Sequence, residues 1–126
     1  MPGQNDAVRN HVAAHGTVYV SITGLKIKTI WKALWFWRYA IPSKIQADRS
    51  PGLLFSDVKT INGINHTLTA WTDQKAMRSY IYSGIHLKAI RVFRKIATGK
   101  TFGYESIELP DWDEVHRLWL EKGKSY

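Results

Sequence analysis

The apolar period along the chain switches between two residues and three to four, and the elements are read from those switches. From Thr17, VYVSITGL is β-branched and aromatic, with Val18, Val20 and Ile22 alternating against Tyr19, Ser21 and Thr23. This predicts a strand with two unlike faces. Thr29 is a suitable N-cap for TIWKALWFWRYAIPSKIQAD, whose length and lack of alternation predict a helix. Pro42 lacks an amide donor and crowds the preceding turn, so a kink or a break into two pieces is expected near Ile41. Ile30, Leu34, Trp37 and Ile41 make one apolar stripe at helical spacing, and Trp31, Trp35 and Phe36 fall outside it. A helix apolar over more than one face needs a second cover: another subunit, a ligand, the C-terminal helix or a membrane surface.

Ser50-Pro51-Gly52 reads as a turn and LLFSDVKTI as a strand. Asn62-Gly63 between Ile61 and Ile64 is a strong hairpin signal, because a type I′ turn needs positive φ at both central residues. INHTLTAWT is the returning strand, with His66, Leu68 and Ala70 on one face and Thr67, Thr69 and Trp71 on the other. Asp73 caps a helix carrying Ala76, Met77, Tyr80 and Ile81. After Ser83-Gly84, a second helical stretch has Ile85, Ala89, Val92 and Ile96 as its stripe and is expected to end at Gly99. TFGYESIEL is a fourth strand, and Asp111 with Glu114 forms a capping box for a last helix containing Val115, Leu118, Trp119 and Leu120. Residues 1–16 are polar and aperiodic and are read as a flexible lead-in to a single domain over 17–126. The order β-α-β-β-α-β plus a terminal helix predicts an α+β, ferredoxin-like antiparallel sheet with both long helices on one face. The other face would be bare, and a sheet-to-sheet homodimer would cover it.

At 126 residues and 44% apolar content, one core is the expectation. There is no Cys, so disulfide and thiolate chemistry are excluded. No apolar run approaches the roughly 18 residues of a membrane span, and MPGQNDAVRNHVAAHG lacks the apolar centre of a signal peptide, which leads us to expect a cytoplasmic protein. The formal charge is +8, and residues 17–100 carry 14 Lys and Arg against Asp48, Asp57 and Asp73. Such a field attracts nucleic acid or anionic lipid, or simply keeps a domain soluble. Val18-Tyr19-Val20 resembles the start of the shorter sheet motif of RNA-recognition modules, but INHTLTAWT lacks the Gly- and aromatic-rich partner motif, which argues against nucleic acid.

No nucleotide, zinc-protease or hydrolase motif is present. Acid–base chemistry near neutral pH is then left to the histidines. His86 follows Ser83-Gly84 and could face the space between helix and sheet as a catalytic base, or merely bond a backbone carbonyl. His66 is the second catalytic candidate, pointing either into the helix layer or into the dimer seam, and His116 is expected to face solvent. His11 and His15 are four apart but lack a third ligand, so no metal site is expected. Tyr19, Trp71, Met77, Tyr80 and Phe93 could line a pocket for a small apolar or aromatic ligand, with core or dimer packing as the competing use. Trp31, Trp35 and Trp37, beside Lys26, Lys28, Lys32 and Arg38, would also suit a peripheral membrane protein.

Residues 50–93, SPGLLFSDVKTINGINHTLTAWTDQKAMRSYIYSGIHLKAIRVF, resemble the dimeric α/β-barrel superfamily that contains antibiotic-biosynthesis monooxygenases. The Ser50-Pro51-Gly52 turn, Leu68–Trp71, Asp73–Met77 and Ser83-Gly84-x-His86-x-x-Ala89 resemble its branch of spheroidene-monooxygenase-like and uncharacterised monooxygenase-like proteins. The resemblance implies a homodimer with a pocket in each subunit between sheet and helices. Members oxygenate polycyclic phenols without a cofactor, degrade or bind haem, or have no known activity. In the haem-degrading branch the catalytic Trp would fall at Tyr80 and the haem-ligating His at Ile90; an Ile cannot ligate iron, which argues against haem unless His86, one turn earlier, replaces it. The resemblance therefore implies a cofactor-free, monooxygenase-like oxidoreductase, with a non-catalytic ligand-binding or stress-response dimer as the alternative.

Overall fold

The computed structural model describes residue 12, residues 14–27 and residues 30–125, apart from the side chains at 30, 31, 33, 85, 86 and 93–97. In chain order the elements are β1 (Val18–Ile27), α1 (Ile30–Asp48), β2 (Leu53–Ile61), β3 (Ile64–Trp71), α2 (Gln74–Ile81), α3 (Gly84–Ile96), β4 (Ala97–Ser106), α4 (Trp112–Lys122) and the two-residue β5 (Lys124–Ser125). The strands form one sheet ordered β2-β3-β1-β4-β5, with every pairing antiparallel. This is the expected ferredoxin-like arrangement, extended at one edge by β5. Thr29 and His11 lie outside the described residues.

Local signals account for most boundaries. Asn62 and Gly63 adopt φ of 50° and 78°, the left-handed pair that a tight hairpin requires. Asp73 Oδ1 accepts from the Ala76 amide at 2.8 Å, and Asp111 Oδ1 from the Glu114 amide at 2.8 Å, so both predicted caps are made. Gly99 does not end a helix. α3 stops at Ile96 and β4 begins at once, placing Gly99 inside the sheet opposite Leu25; strand pairing along the whole of β1 overrides the local stop signal. Nor does Pro42 break its helix, since α1 runs unbroken through it. Phe36 and Ala40 before it and Ser43 and Ala47 after it lie on one side of the helix, turned toward the sheet and its neighbours.

Alternation sends the two sheet faces to different layers. Val18, Val20 and Ile22 of β1 pair with Ser106, Tyr104 and Phe102 of β4, and Ile22 and Val20 with Leu68 and Ala70 of β3. This face packs on Val115, Leu118 and Trp119 of α4, with Leu109 and Val12, as the main core. The face expected to be bare is thus covered within the chain, because Asp111 starts an amphipathic helix that folds back over β1. Val12, within the stretch read as a lead-in, is fully buried there. On the opposite face, Leu25 and Ile27 meet Phe36, Ala40 and Val92 in a smaller cluster beneath α1 and α3.

α1 presents to this cluster a different face from the one its strongest apolar stripe suggests. Phe36, Ser43 and Ala47 are buried, whereas Leu34, Trp37 and Ile41 of the predicted stripe are exposed, together with Trp35 and Ile45. Small side chains at Ala40, Ser43 and Ala47 let the helix approach its neighbours closely, and larger ones at those positions would hold it off.

Candidate functional site

The helix-facing side of the sheet differs in chemistry from its partner. Tyr19, Ser21 and Thr23 of β1 stand beside Trp71, Thr69 and Thr67 of β3, pair by pair. Ser21, Thr69 and Trp71 are buried. The Trp71 indole N–H donates to Thr69 Oγ1 at 2.8 Å, which fixes the ring, and Tyr80 of α2 stacks on it with centroids 5.3 Å apart and planes 28° apart. The Tyr80 hydroxyl donates to the Ser43 carbonyl of α1 at 3.0 Å, and Met77, one turn earlier on α2, is buried as well. Tyr19 lies across β4 at Gly103, where any Cβ would strike its hydroxyl. The Ser43 hydroxyl is buried with no hydrogen-bond partner, an orphaned polar group on the helix wall. Four of the five pocket residues proposed from sequence therefore lie on the sheet and α2 walls of this layer. Phe93 is on α3, but its side chain lies outside the described residues.

The Tyr80 ring also borders an open cleft of about 490 Å³ between the Ser50–Gly52 turn, Thr72, Asp73 and one side of α2. A second recess of about 420 Å³ lies along α2 at Gln74, Arg78 and Tyr82. The first is built from the residues that carry the family resemblance. Gly52, at φ 86°, has no room for a side chain, since a Cβ would sit 2.6 Å from the Ala76 Cβ, and its carbonyl accepts from the Thr72 amide at 2.8 Å. Gln46 of α1 completes this junction by donating to the Ser83 carbonyl at 3.0 Å and lying against Gly84. No periodicity singles out Gln46, whose importance comes from a loop 37 residues away in the chain.

The histidines do not join this layer. His66 shares its face with Leu68 and Ala70, as the alternation predicts, but that face lies under α4, on the other side of the sheet from Trp71 and Tyr80. It is 1% exposed. Its Nδ1–H donates to the Thr23 carbonyl at 3.1 Å, leaving Nε2 to accept from His116 Nδ1–H at 2.8 Å. His116 Nε2 in turn accepts from the Asn62 amide at 3.5 Å. Burial lowers the His66 pKa from the ordinary 6.5; the Thr23 carbonyl opposes that shift and His116 adds to it. The neutral imidazole is thus favoured, and the Trp119 ring meets it edge-on at 5.1 Å. His116, expected in solvent, is drawn down onto His66 and half-buried. Neither ring reaches the Trp71–Tyr80 layer. His86 sits in the first turn of α3, which belongs to the helix layer, but its side chain lies outside the described residues. Among the described residues no three His, Cys, Asp or Glu side chains cluster as metal ligands.

No family model and no curated protein matches the sequence. Solved structures do match in fold. A variant of SnoaB, a cofactor-independent oxygenase from Streptomyces nogalater, superposes with a TM-score of 0.62 at 15% identity over 75% of this chain and 98% of its own. A candidate antibiotic biosynthesis monooxygenase from Deinococcus radiodurans gives 0.64 at 17% identity, over 74% and 96%. Another from Nitrosomonas europaea gives 0.62 at 17%, over 72% and 89%. The fold neighbours are thus antibiotic-biosynthesis-monooxygenase-like ferredoxin-fold proteins, consistent with the superfamily the sequence resembles. At these identities the likeness is one of fold.

Proposed function

We propose that this protein binds a small, flat aromatic molecule between the sheet and the α1–α3 layer and oxidises it with molecular oxygen without a bound cofactor. The observation that carries this reading is the asymmetry of the two sheet faces. On the α4 side, Val18, Val20, Ile22, Leu68 and Ala70 are sealed against Val115, Leu118 and Trp119 as a packed core. Toward the other helices, Tyr19, Trp71, Tyr80 and Met77 accompany the buried hydroxyls of Ser21 and Thr69. Rings supply contact area to a flat ligand, and hydroxyls orient its polar rim. The fold likeness to a cofactor-independent oxygenase supports the reaction class.

The chemistry needs a base that removes a proton from an activated methylene of a polycyclic phenol, giving a carbanion that passes its electrons to molecular oxygen. Overall, the methylene and one molecule of oxygen become a ketone and one molecule of water. Both carbon–hydrogen bonds are lost, one oxygen atom stays on carbon and the other leaves as water, so the four electrons given up by carbon are the four taken up by oxygen. We assign the base to His86, from its place in the first turn of α3. With an anthrone as substrate, oxygen uptake by the wild type should exceed the uncatalysed rate, and His86→Ala should lower it by about 10²–10⁴-fold. Wild type and variant both at background would end the oxygenase reading.

One observation favours a second reading. The Trp71–Tyr80 stack and the Tyr80–Ser43 bond hold the walls of the layer together, as suits a non-catalytic ligand-binding or stress-response protein. Quenching of Trp fluorescence by the anthrone without oxygen uptake would select it. The homodimer belongs to both readings, and light scattering at twice the chain mass is its test. Its seam would have to lie beside α4, where Leu54, Phe55, Ile64 and Phe102 are only partly buried.

A further inference from the structure

We propose that the outer face of α1 docks on an anionic lipid surface. Leu34, Trp37, Ile41 and Ile45 recur every three to four residues and so form one stripe, with Trp35 at its side; they are 68%, 44%, 57%, 47% and 59% exposed, respectively. The core-facing residues Phe36, Ser43 and Ala47 lie on the opposite side of the same helix. The stripe is therefore surplus to the fold. Nothing described in the chain covers it, because α4 and Val12 pack on the far face of the sheet.

Charge selects the occupant. Arg38 is exposed within the stripe, and Lys88 and Arg91 are exposed on α3, which packs beside α1. The single acid of α1, Asp48, is held by Lys44 at 3.1 Å. A second copy meeting this face about a two-fold axis would set cations against cations, whereas lipid phosphates neutralise them while Trp and Ile side chains enter the headgroup boundary. The attachment is to the surface, since no described helix is long and apolar enough to cross a membrane.

The test is flotation of the purified full chain with vesicles of phosphatidylcholine and phosphatidylglycerol, compared with phosphatidylcholine alone. Binding to the anionic vesicles is expected to be about tenfold or more the stronger, to weaken with added salt, and to shift Trp emission to the blue. Leu34→Glu combined with Ile41→Glu should lower partitioning about tenfold or more while leaving the thermal midpoint within a few degrees, because both side chains are exposed. Trp35→Ser is a milder variant that should weaken binding in the same direction, should the double variant fail to fold. Absence of flotation, equal binding to both vesicle types, or binding unchanged by the stripe variants overturns the proposal. So does a dimer that the stripe variants convert to monomer, which would make a second copy the occupant. His86→Ala should bind vesicles as the wild type does, so failure of the oxygenase reading leaves this one standing.

Discussion

Gly24 has no room for a side chain, because a Cβ there would run into the indole of Trp119. That ring cannot easily give way: its N–H is committed to the Lys100 carbonyl at 2.9 Å, and its face carries the Lys100 ammonium at 4.4 Å. Gly24→Ala is therefore expected to cost about 1–3 kcal/mol, read from denaturant midpoints. Nearby, His66 makes stability depend on pH. Its folded pKa is lowered, so the unfolded chain binds the proton more readily; the stability it contributes is complete above the unfolded value near 6.5 and is lost as pH falls toward the lower folded value. The urea midpoint should fall with acidity below 6.5, and His66→Asn should flatten that limb of the profile. An unchanged slope in the variant would assign the dependence to other groups. The residue types of this cluster gave no warning of it. His66 could be placed on a face by alternation, but which layer that face meets depends on where α4 folds back, and the same fact draws His116 out of solvent.

Among the elements, those fixed by neighbours in sequence were legible from it. The Asn62-Gly63 turn and the Asp73 and Asp111 caps are local, each satisfied by backbone within three residues. Asp73→Ala should cost about 1 kcal/mol, with the loss confined to α2 and visible as faster amide exchange there. α1 was legible as a helix but not in its orientation. Two periodic faces compete, and the larger side chains at Leu34, Trp37 and Ile41 favour the wrong one when burial is judged by hydrophobicity alone. The inner face is chosen by close approach, which the small residues Ala40, Ser43 and Ala47 permit. Pro42 lies between those faces in the chain and leaves the Arg38 carbonyl without its usual helical donor. Pro42→Ala restores that donor to a helix that is already continuous, and a gain of about 1 kcal/mol or more is expected from thermal or denaturant unfolding. The arrangement of the candidate residues was legible in the same partial way: Tyr80 stacks on Trp71 in the helix layer, but His66 stands behind the sheet because period two fixes relative and not absolute facing.

Across the whole molecule, the sheet serves two layers of different character, one sealed by α4 and one lined with rings and hydroxyls beneath α1 and α3. Removing residues 111–126 would uncover Val18, Val20, Ile22, Leu68 and Ala70 together. The truncated chain should aggregate or self-associate, as light scattering would detect. A truncated chain that stays monomeric and folded would show that α4 is dispensable cover. The central position of β1 also sets the order of events in time. Val18 pairs with Ser106, and Tyr19 with both Trp71 and Glu105, so the first strand made has only distant partners. The β2–β3 hairpin, closed by two residues, is ready long before β1 can pair on both sides. Refolding should therefore be slow for a chain of this length, and its half-built state would offer the unpaired edge of β3 to other chains until β1 arrives.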